Sequence, residues 1–174
     1  MPKCTVMVGL PAMGKSTLIK KIRTDDTWIY STDMFLDSVA EDQGLTYADV
    51  FTSYIDEATK FNETKVKSAM EFGKDILWDQ TNLGAGKRRK IINRMTKAGY
   101  TVECICFLPP QQDDREEWNR RLDGRPGKVI PYKVLMSMSE SYVLPTEEEG
   151  FSKIEFYDMY GTLHKTHTQT EMEN

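Results

Sequence analysis

Short apolar runs alternate along this chain with longer segments in which apolar residues recur at helical spacing. The runs are rich in β-branched and aromatic residues, and five of them predict strands: 3–8, 28–30, 75–78, 100–108 and 154–157. The intervening segments predict helices: 15–23, 34–39, 46–61, 87–98, 113–122 and 131–142. Strands that alternate with helices predict an α/β domain with a parallel sheet of four or five strands, covered by helices on both faces.

The composition is that of a single domain. The chain has 174 residues, of which 39% are hydrophobic, and this is enough to build one core. We expect one domain over 1–165 and a polar, flexible tail over 166–174. No apolar run approaches the roughly 20 residues that cross a bilayer, and the N-terminus lacks the profile of a signal peptide. These features predict a soluble cytoplasmic protein without membrane contact.

Charge and cysteine content narrow the possible partners. The formal net charge of -4 argues against a broad nucleic-acid-binding surface, so any such contact is expected in a local basic patch. Two of the three cysteines, at 104 and 106, alternate in a predicted strand, which indicates buried thiols rather than disulfides or a metal site. His164 and His167 lie in a polar segment without evident partners. No obligate protein partner is evident.

The strongest motif lies between the first strand and the first helix. Residues 9–16 match G-x-x-x-x-G-K-[ST] in the strand, loop and helix context that this motif requires, which argues against a chance glycine turn. In such a loop, backbone N–H groups cradle phosphates, Lys15 reaches the β- and γ-phosphates as a catalytic cation, and Ser16 ligates Mg²⁺. The predicted ATP-binding residues here are Gly9, Pro11, Ala12, Met13, Gly14, Lys15, Ser16 and Thr17. For Thr17, helix packing is the alternative.

Two carboxylates follow the second and third predicted strands. Asp33 is predicted to be a general base that accepts the proton of an attacking hydroxyl, with an ordinary helix N-cap as the alternative. Asp79 is predicted to hold Mg²⁺ directly or through water, with a turn-forming role as its alternative. Because parallel strands end at one edge of a sheet, both carboxylates are expected near the phosphate-binding loop.

Two arginines flank a break in the helical pattern. Arg121 and Arg125 surround a glycine- and proline-containing segment that we expect to be a mobile loop. A guanidinium on a closing loop can stabilise the charge of a transferring phosphoryl group, so both arginines are predicted to be catalytic and to bind ATP. The alternative is a solvated, charge-rich helix end.

A basic stretch occupies 87–97. Such runs are usually a solvated helix face, and nucleic-acid contact is the second interpretation. Three aromatic residues of the third predicted helix, Phe51, Tyr54 and Phe61, are expected in the core rather than on a base-stacking surface.

From 3 to 142 the chain resembles the kinase half of T4-type polynucleotide kinases. The family's G-x-P-x-x-G-K-S-T is present at 9–17, its catalytic aspartate matches Asp33, and its D-T-N-L is similar to the segment 80–83. Its two lid arginines, spaced R-x-x-x-R, fall on Arg121 and Arg125, and its V-P-x-x-V-L-x-S-M resembles 130–138. The resemblance implies a P-loop kinase fold with a helical lid, ATP and Mg²⁺ as cofactors, and a nucleic acid as substrate. Together, the resemblance and the basic stretch predict four substrate-binding residues: Asp33, Gln80, Asn82 and Arg88.

This chain departs from the resembled family at two features that concern the acceptor substrate. The family has an arginine three residues after its catalytic aspartate and an aspartate that orients it, whereas this chain has Leu36 and Gln80. We do not expect the family's phosphatase domain here, since 158–163 only echoes its first motif. We therefore expect phosphoryl transfer to a polynucleotide, first to a 5′-hydroxyl. Other candidates are a hydroxymethyl group on a modified pyrimidine of phage DNA, a nucleoside or nucleotide, or a P-loop ATPase or nucleotide sensor without an acceptor.

Overall fold

The first five strands of the sheet run parallel, and the sixth closes one edge antiparallel to the fifth. The computed structural model describes residues 1–168. Within this range the strands are β1 (Lys3–Val8), β2 (Trp28–Tyr30), β3 (Ile76–Trp78), β4 (Thr101–Phe107), β5 (Lys153–Tyr157) and β6 (Leu163–Thr168). They lie in the order β2-β3-β1-β4-β5-β6. The predicted α/β class is confirmed, but the sheet has one strand more than expected.

Helices connect the parallel strands. They are α1 (Lys15–Ile22), α2 (Thr32–Gln43), α3 (Tyr47–Glu71), α4 (Ala85–Lys97), α5 (Arg115–Asp123) and α6 (Tyr132–Glu140). Two single 3₁₀ turns, Gln112–Asp114 and Glu147–Glu149, precede α5 and β5. The helix α3 is 25 residues long and extends well beyond the predicted segment.

Local sequence signals explain where α2 and α3 begin. The N-cap of α2 is Ser31, whose hydroxyl accepts a hydrogen bond from the Met34 amide, so the alternative role of Asp33 as N-cap is not realised. The helix ends at Gly44, which has a positive φ of 66°. A capping box begins α3: the Thr46 hydroxyl accepts from the Asp49 amide, and the Asp49 carboxylate accepts from the Thr46 amide. The two helices therefore form a hairpin beside the sheet.

The core lies on both faces of the sheet. On one face, Val6 and Val8 of β1 pack with Ile91 and Met95 of α4. On the other face, the intervening Met7 of β1 belongs to a second cluster, which includes Ile19, Phe107 and Trp118. A third cluster holds α2 against α3 through Leu36, Ala40, Val50 and Ala58. This alternation along β1 is what a sheet covered on both faces requires.

Several sequence expectations require correction. Part of the predicted tail, 166–168, belongs to β6, which pairs with β5, and 169–174 lies outside the described residues. Both histidines have partners, because His164 Nε2 lies 2.7 Å from Asp158 Oδ2 and His167 Nδ1 lies 2.8 Å from Glu147 Oε1. Polar composition did not reveal this strand, since an edge strand is held mainly by backbone hydrogen bonds.

Burial also differs from expectation at two aromatic residues. Phe51 and Phe61 are 42% and 49% exposed rather than core residues. The cysteines are buried as predicted, and burial raises the pKa of the Cys106 thiol to about 11. Over the described part of the chain, every helix is too short or too polar to cross a membrane.

Candidate active site

The loop between β1 and α1 has the conformation of an anion-binding loop. Gly14 has a φ of 99° and caps α1 without a side-chain hydrogen bond, so the first amides of the helix are left for a ligand. Ala12 also has a positive φ, of 61°. A Cβ at Gly9 would lie 2.9 Å from the Cβ of Phe107, so glycine is needed here for a close approach to β4.

The loop is anchored from three directions. The Gly9 amide donates to the Thr81 carbonyl at 3.0 Å, which joins the loop to the segment after β3. The Trp118 indole donates to the Pro11 carbonyl at 2.8 Å, which joins it to α5. The side chain of Met13 is packed in the core, so only its backbone can meet a nucleotide. Thr17 is exposed on α1 and lines the cleft, which does not favour its alternative role in helix packing.

Lys15 is held within the loop. Its ammonium donates to the carbonyls of Gly9 and Leu10 at 2.7 and 2.8 Å. Burial lowers the pKa of Lys15 from 10.5 to about 8, although the carboxylates of Asp79 and Asp33 favour its charged form. These electrostatic couplings join the loop to both carboxylates that the sequence singles out.

Asp79 follows β3 beside the loop, as the parallel pairing of β1 with β3 requires. Its Oδ2 accepts a hydrogen bond of 3.2 Å from the Ser31 hydroxyl at the end of β2. Burial raises the pKa of Asp79, and the ammonium of Lys15 partly opposes this shift. Asp79 is therefore a partly desolvated carboxylate that a cation would stabilise.

The two residues predicted for Mg²⁺ are compatible with that ion. Ser16 is exposed at the start of α1, and Asp79 supplies a carboxylate oxygen, so both offer the hard oxygen donors that Mg²⁺ prefers. Within residues 1–168, no three His, Cys, Asp or Glu side chains cluster as a metal cage. A P-loop cation needs few protein ligands, because phosphates and water supply the others.

Asp33 lies on the first turn of α2 and lines the same cleft. Its Oδ1 accepts a 2.7 Å hydrogen bond from the hydroxyl of Tyr47, the first residue of α3. Burial, followed by the negative charge of Asp33, raises the pKa of Tyr47, so the phenol stays protonated. Sequence reasoning missed Tyr47, and the capping box just before it gave the position of a helix start but no sign of this contact.

The segment after α5 carries Arg125. Its Nη1 is buried and has no hydrogen-bond partner among the described residues. Because Arg125 lines the cleft, this orphaned donor suits an anionic ligand. Arg121 is more strongly engaged by the protein, since its Nε donates to Glu117 at 2.8 Å and its Nη1 donates to the Met159 carbonyl. Its guanidinium also lies 5.6 Å from the ring centre of Tyr160.

The loop that carries Arg125 is docked on the α2 and α3 hairpin. The Ala48 amide donates to the Gly127 carbonyl at 3.2 Å. The Lys128 ammonium lies 2.6 Å from Asp37 Oδ2 and 4.6 Å from the ring centre of Tyr47. The predicted mobile loop is thus held against both helices in this structure.

A single cleft of about 910 Å³ joins these groups. Its lining includes Lys15, Ser16 and Arg125, and also Asp33, Tyr47 and Phe51. This volume is at the upper end of the range for small-molecule sites, which extends to roughly 1,000 Å³. Several predicted ATP-binding residues therefore share one opening with Asp33, the predicted general base.

Two predicted substrate-binding residues do not face this cleft. Arg88 is fully buried, donates to Glu149 through Nε and Nη2, and donates to the carbonyls of Asn82 and Leu83 through Nη1. Asn82 is also fully buried, and its amide donates to the Met7 carbonyl at 2.8 Å. The assignment of both to substrate contact is therefore corrected, because their polar groups hold the loop after β3. Gln80 lines the cleft, and its Oε1 accepts from the Trp78 indole.

The fold and the loop define a class of protein, the P-loop nucleotide-binding α/β proteins. The sequence profile of the family described as "AAA domain" matches residues 5–145. This match spans most of the chain, from β1 to beyond α6, and includes the P-loop, Asp33, Asp79 and both lid arginines. The chain belongs to this family.

Solved structures share the fold at low sequence identity. A chain of the PezAT chromosomal toxin-antitoxin system of Streptococcus pneumoniae is 16% identical, with a TM-score of 0.65, over 95% of this chain and 71% of that chain. A protein of Chloroflexus aurantiacus, provisionally named a kinase, is 18% identical, with a TM-score of 0.62, over 90% of this chain and 88% of that chain. At these identities the similarity concerns the fold alone.

A third similar structure is a chain of the Pnkp1/Rnl/Hen1 complex, which is 21% identical with a TM-score of 0.51. The match covers 69% of this chain but only 38% of that longer chain. A chain of the AvrRxo1-ORF1:-ORF2 structure with ATP is 14% identical, with a TM-score of 0.61, over 91% of this chain and 55% of that chain. The likeness to T4-type polynucleotide kinases stays a prediction, as does the expected lack of an obligate protein partner.

Proposed function

We propose that this protein is an ATP-dependent kinase that transfers the γ-phosphate to a hydroxyl of a polynucleotide, with a 5′-hydroxyl as the first candidate. One observation carries the proposal: a single cleft of about 910 Å³ is lined both by Lys15 of the P-loop and by the carboxylate of Asp33. A phosphate-binding loop alone requires no such carboxylate, whereas a kinase requires a group that accepts the proton of the attacking hydroxyl.

The donor side fits ATP. The uncapped amides of α1 and the Lys15 ammonium would bind the β- and γ-phosphates, as in other P-loops. The buried, unpartnered Nη1 of Arg125 would donate to a phosphate oxygen. Mg²⁺, held through Ser16 with Asp79 nearby, would neutralise charge on the phosphates. Arg121 would have a smaller share, because Glu117 and Met159 already accept its hydrogen bonds.

On the acceptor side, Asp33 would orient the hydroxyl and take its proton. The acceptor oxygen would then bond to the γ-phosphorus as the bond to the bridging oxygen breaks, leaving ADP and a phosphate ester. The guanidinium of Arg125 would stabilise the charge that spreads over the equatorial oxygens. Asp33 would thus orient the acceptor hydroxyl and accept its proton, and Arg125 would stabilise the transition state electrostatically.

A hydroxymethyl group on a modified pyrimidine of DNA is the second candidate acceptor. Polynucleotide kinases of the resembled type use an arginine at the position of Leu36 to hold the acceptor's phosphate, and Leu36 here is fully buried in the contact between α2 and α3. The lining of the cleft instead includes exposed apolar side chains, namely Phe51 at 42%, Val134 at 44% and Val129 at 82%. Such a surface suits the face of a base better than a terminal phosphate.

A panel of acceptors separates the candidates. ATP labelled in its γ-phosphate would be incubated with the protein, Mg²⁺ and one of three probes: a 5′-hydroxyl oligonucleotide, DNA containing 5-hydroxymethyluracil, or free thymidine. The proposal predicts labelled 5′ ends, and labelled base would favour the second candidate. Label on thymidine alone would indicate a nucleoside kinase, and no transfer to either polynucleotide would refute the proposal.

Two substitutions separate this kinase from a P-loop ATPase or nucleotide sensor. Asp33→Asn should lower transfer by about 10²- to 10⁴-fold, because it removes the proton acceptor. Arg125→Ala should lower it by about 10³-fold or more, because it removes transition-state stabilisation. ATP should still bind to both variants.

The matched controls are Asp42→Asn, an exposed acid of α2, and Arg120→Ala, an exposed arginine of α5 that pairs only with Glu117. Both should leave transfer within about twofold of the wild type, since surface ion pairs contribute little. ATP turnover that ignores every acceptor and survives Asp33→Asn would favour the ATPase.

A further inference from the structure

Asp33 has one direct side-chain partner among the described residues, and this partner is Tyr47. The phenol hydroxyl donates to Oδ1 at 2.7 Å. Because Oδ1 is engaged in this way, Oδ2 is the oxygen that remains for a ligand in the cleft. The hydrogen bond therefore distinguishes two oxygens that are chemically equivalent in a free carboxylate.

The ring of Tyr47 is itself held in place. The Lys128 ammonium lies 4.6 Å from its centre, and that ammonium is paired with Asp37 at 2.6 Å. The ring of Phe51 lies 5.8 Å from that of Tyr47, centre to centre. A cation over the ring and a neighbouring aromatic side chain both favour one position of the phenol.

Asp33 needs such a partner because of its place in the fold. It lies on the exposed first turn of α2, where an isolated carboxylate would sample several rotamers. A proton acceptor that is displaced by about 1 Å can lose a factor of roughly 10² in rate. Burial and the charge of Asp33 keep the pKa of Tyr47 above its usual value, so the phenol remains a donor at neutral pH.

We propose that Tyr47 is a positioning residue, whose hydroxyl fixes Asp33 so that Oδ2 faces the acceptor hydroxyl. This inference rests on the function proposed above. Oδ2 takes the proton as the acceptor oxygen bonds to the γ-phosphorus and ADP leaves, while the proton of Tyr47 stays on its phenol. Tyr47 thus acts through Asp33 and contributes to kcat rather than to ATP binding.

The test is Tyr47→Phe in the full chain, with the 5′-hydroxyl oligonucleotide or whichever probe of the panel above is phosphorylated. We expect kcat to fall by about 10- to 100-fold. The KM for ATP and the thermal midpoint should stay unchanged. The matched control is Tyr54→Phe, which removes a hydroxyl of the same helix that accepts a hydrogen bond from Gln43. It should have the activity of the wild type.

A double-mutant cycle with Asp33→Asn separates positioning from a general structural effect. If Tyr47 acts through the carboxylate, adding Tyr47→Phe to Asp33→Asn should lower the residual transfer by less than twofold. The same loss in both backgrounds would overturn the inference, as would full activity of Tyr47→Phe. Full activity of Asp33→Asn would instead refute the proposed general base.

If Tyr47→Phe lowers the thermal midpoint, Lys128→Met provides a second variant for the same test. It removes the cation over the ring while leaving the phenol in place. We expect a smaller loss of kcat that again disappears in the Asp33→Asn background. A loss that persists there would count against positioning through Asp33.

Discussion

Replacing Lys15 by methionine should change the pH dependence of stability in a defined direction. In the folded protein, burial lowers the pKa of Lys15 from 10.5 to about 8. Between these values the unfolded chain binds more protons than the folded one, so stability rises with pH. Below pH 8 both states are protonated, and the whole cost of holding the ammonium in the loop is present. Above 10.5 both states are neutral, and that cost is gone.

The magnitude follows from the two pKa values. The difference between 10.5 and about 8 corresponds to roughly 3 kcal/mol, at about 1.4 kcal/mol for each tenfold change in the protonation equilibrium. Methionine has a similar length and does not titrate. The free energy of unfolding of the wild type, relative to Lys15→Met, should therefore rise by about 3 kcal/mol between pH 7 and pH 10.5. Taking this difference cancels the titration of groups that the two proteins share.

Urea unfolding at pH 7, 8, 9, 10 and 10.5 measures this difference. Lys20→Met, which removes an exposed lysine of the same helix, controls for the loss of a positive charge. If the free energies of unfolding of the wild type and of Lys15→Met change in parallel over this pH range, burial of the Lys15 ammonium does not lower the stability of the folded state. The Lys15→Met variant should also lose ATP binding, as expected where a group that lowers stability is kept for function.

Two further substitutions test residues that hold the loops after β1 and β3 in place. Gly9→Ala should destabilise the protein by about 1–3 kcal/mol and raise the KM for ATP, because its Cβ would lie 2.9 Å from that of Phe107. The control is Gly86→Ala, whose Cβ would meet nothing within 4 Å. Equal stability of the two variants would contradict the argument. Arg88→Met should lower the free energy of unfolding in urea by about 3–5 kcal/mol, because it leaves the buried Glu149 carboxylate unpaired. The double variant with Glu149→Leu should recover much of that loss, and no recovery would show that the buried charge is not the cause.

The nucleotide-binding half of the site was predictable because its determinants are contiguous in the sequence. One motif contains the glycines, Lys15 and Ser16, and the strand and helix around it fix their geometry. The carboxylates after β2 and β3 were predictable for a related reason, since parallel strands bring their carboxyl ends to one edge.

Burial within a charged stretch was not predictable. Six basic residues between 87 and 97 suggest a solvated face, yet Arg88 is fully buried while its neighbour Arg89 is exposed. Arg88 is paired there with Glu149, which lies 61 residues later in the chain, in the 3₁₀ turn before β5. A local charge pattern contains no information about such a distant partner.

The loop that follows α5 shows the same difficulty. Its glycines and proline correctly predicted a break in the helix, but a flexible turn and a docked turn have the same composition. At Gly127 the φ is 70° and an added Cβ would lie 2.9 Å from Thr46 Cβ, so glycine is needed there for close packing against the start of α3. The adjacent Lys128 then meets Tyr47, which holds Asp33. These contacts join the first turns of α2 and α3 to a loop much later in the chain, so only the folded structure relates Tyr47 to the proposed chemistry.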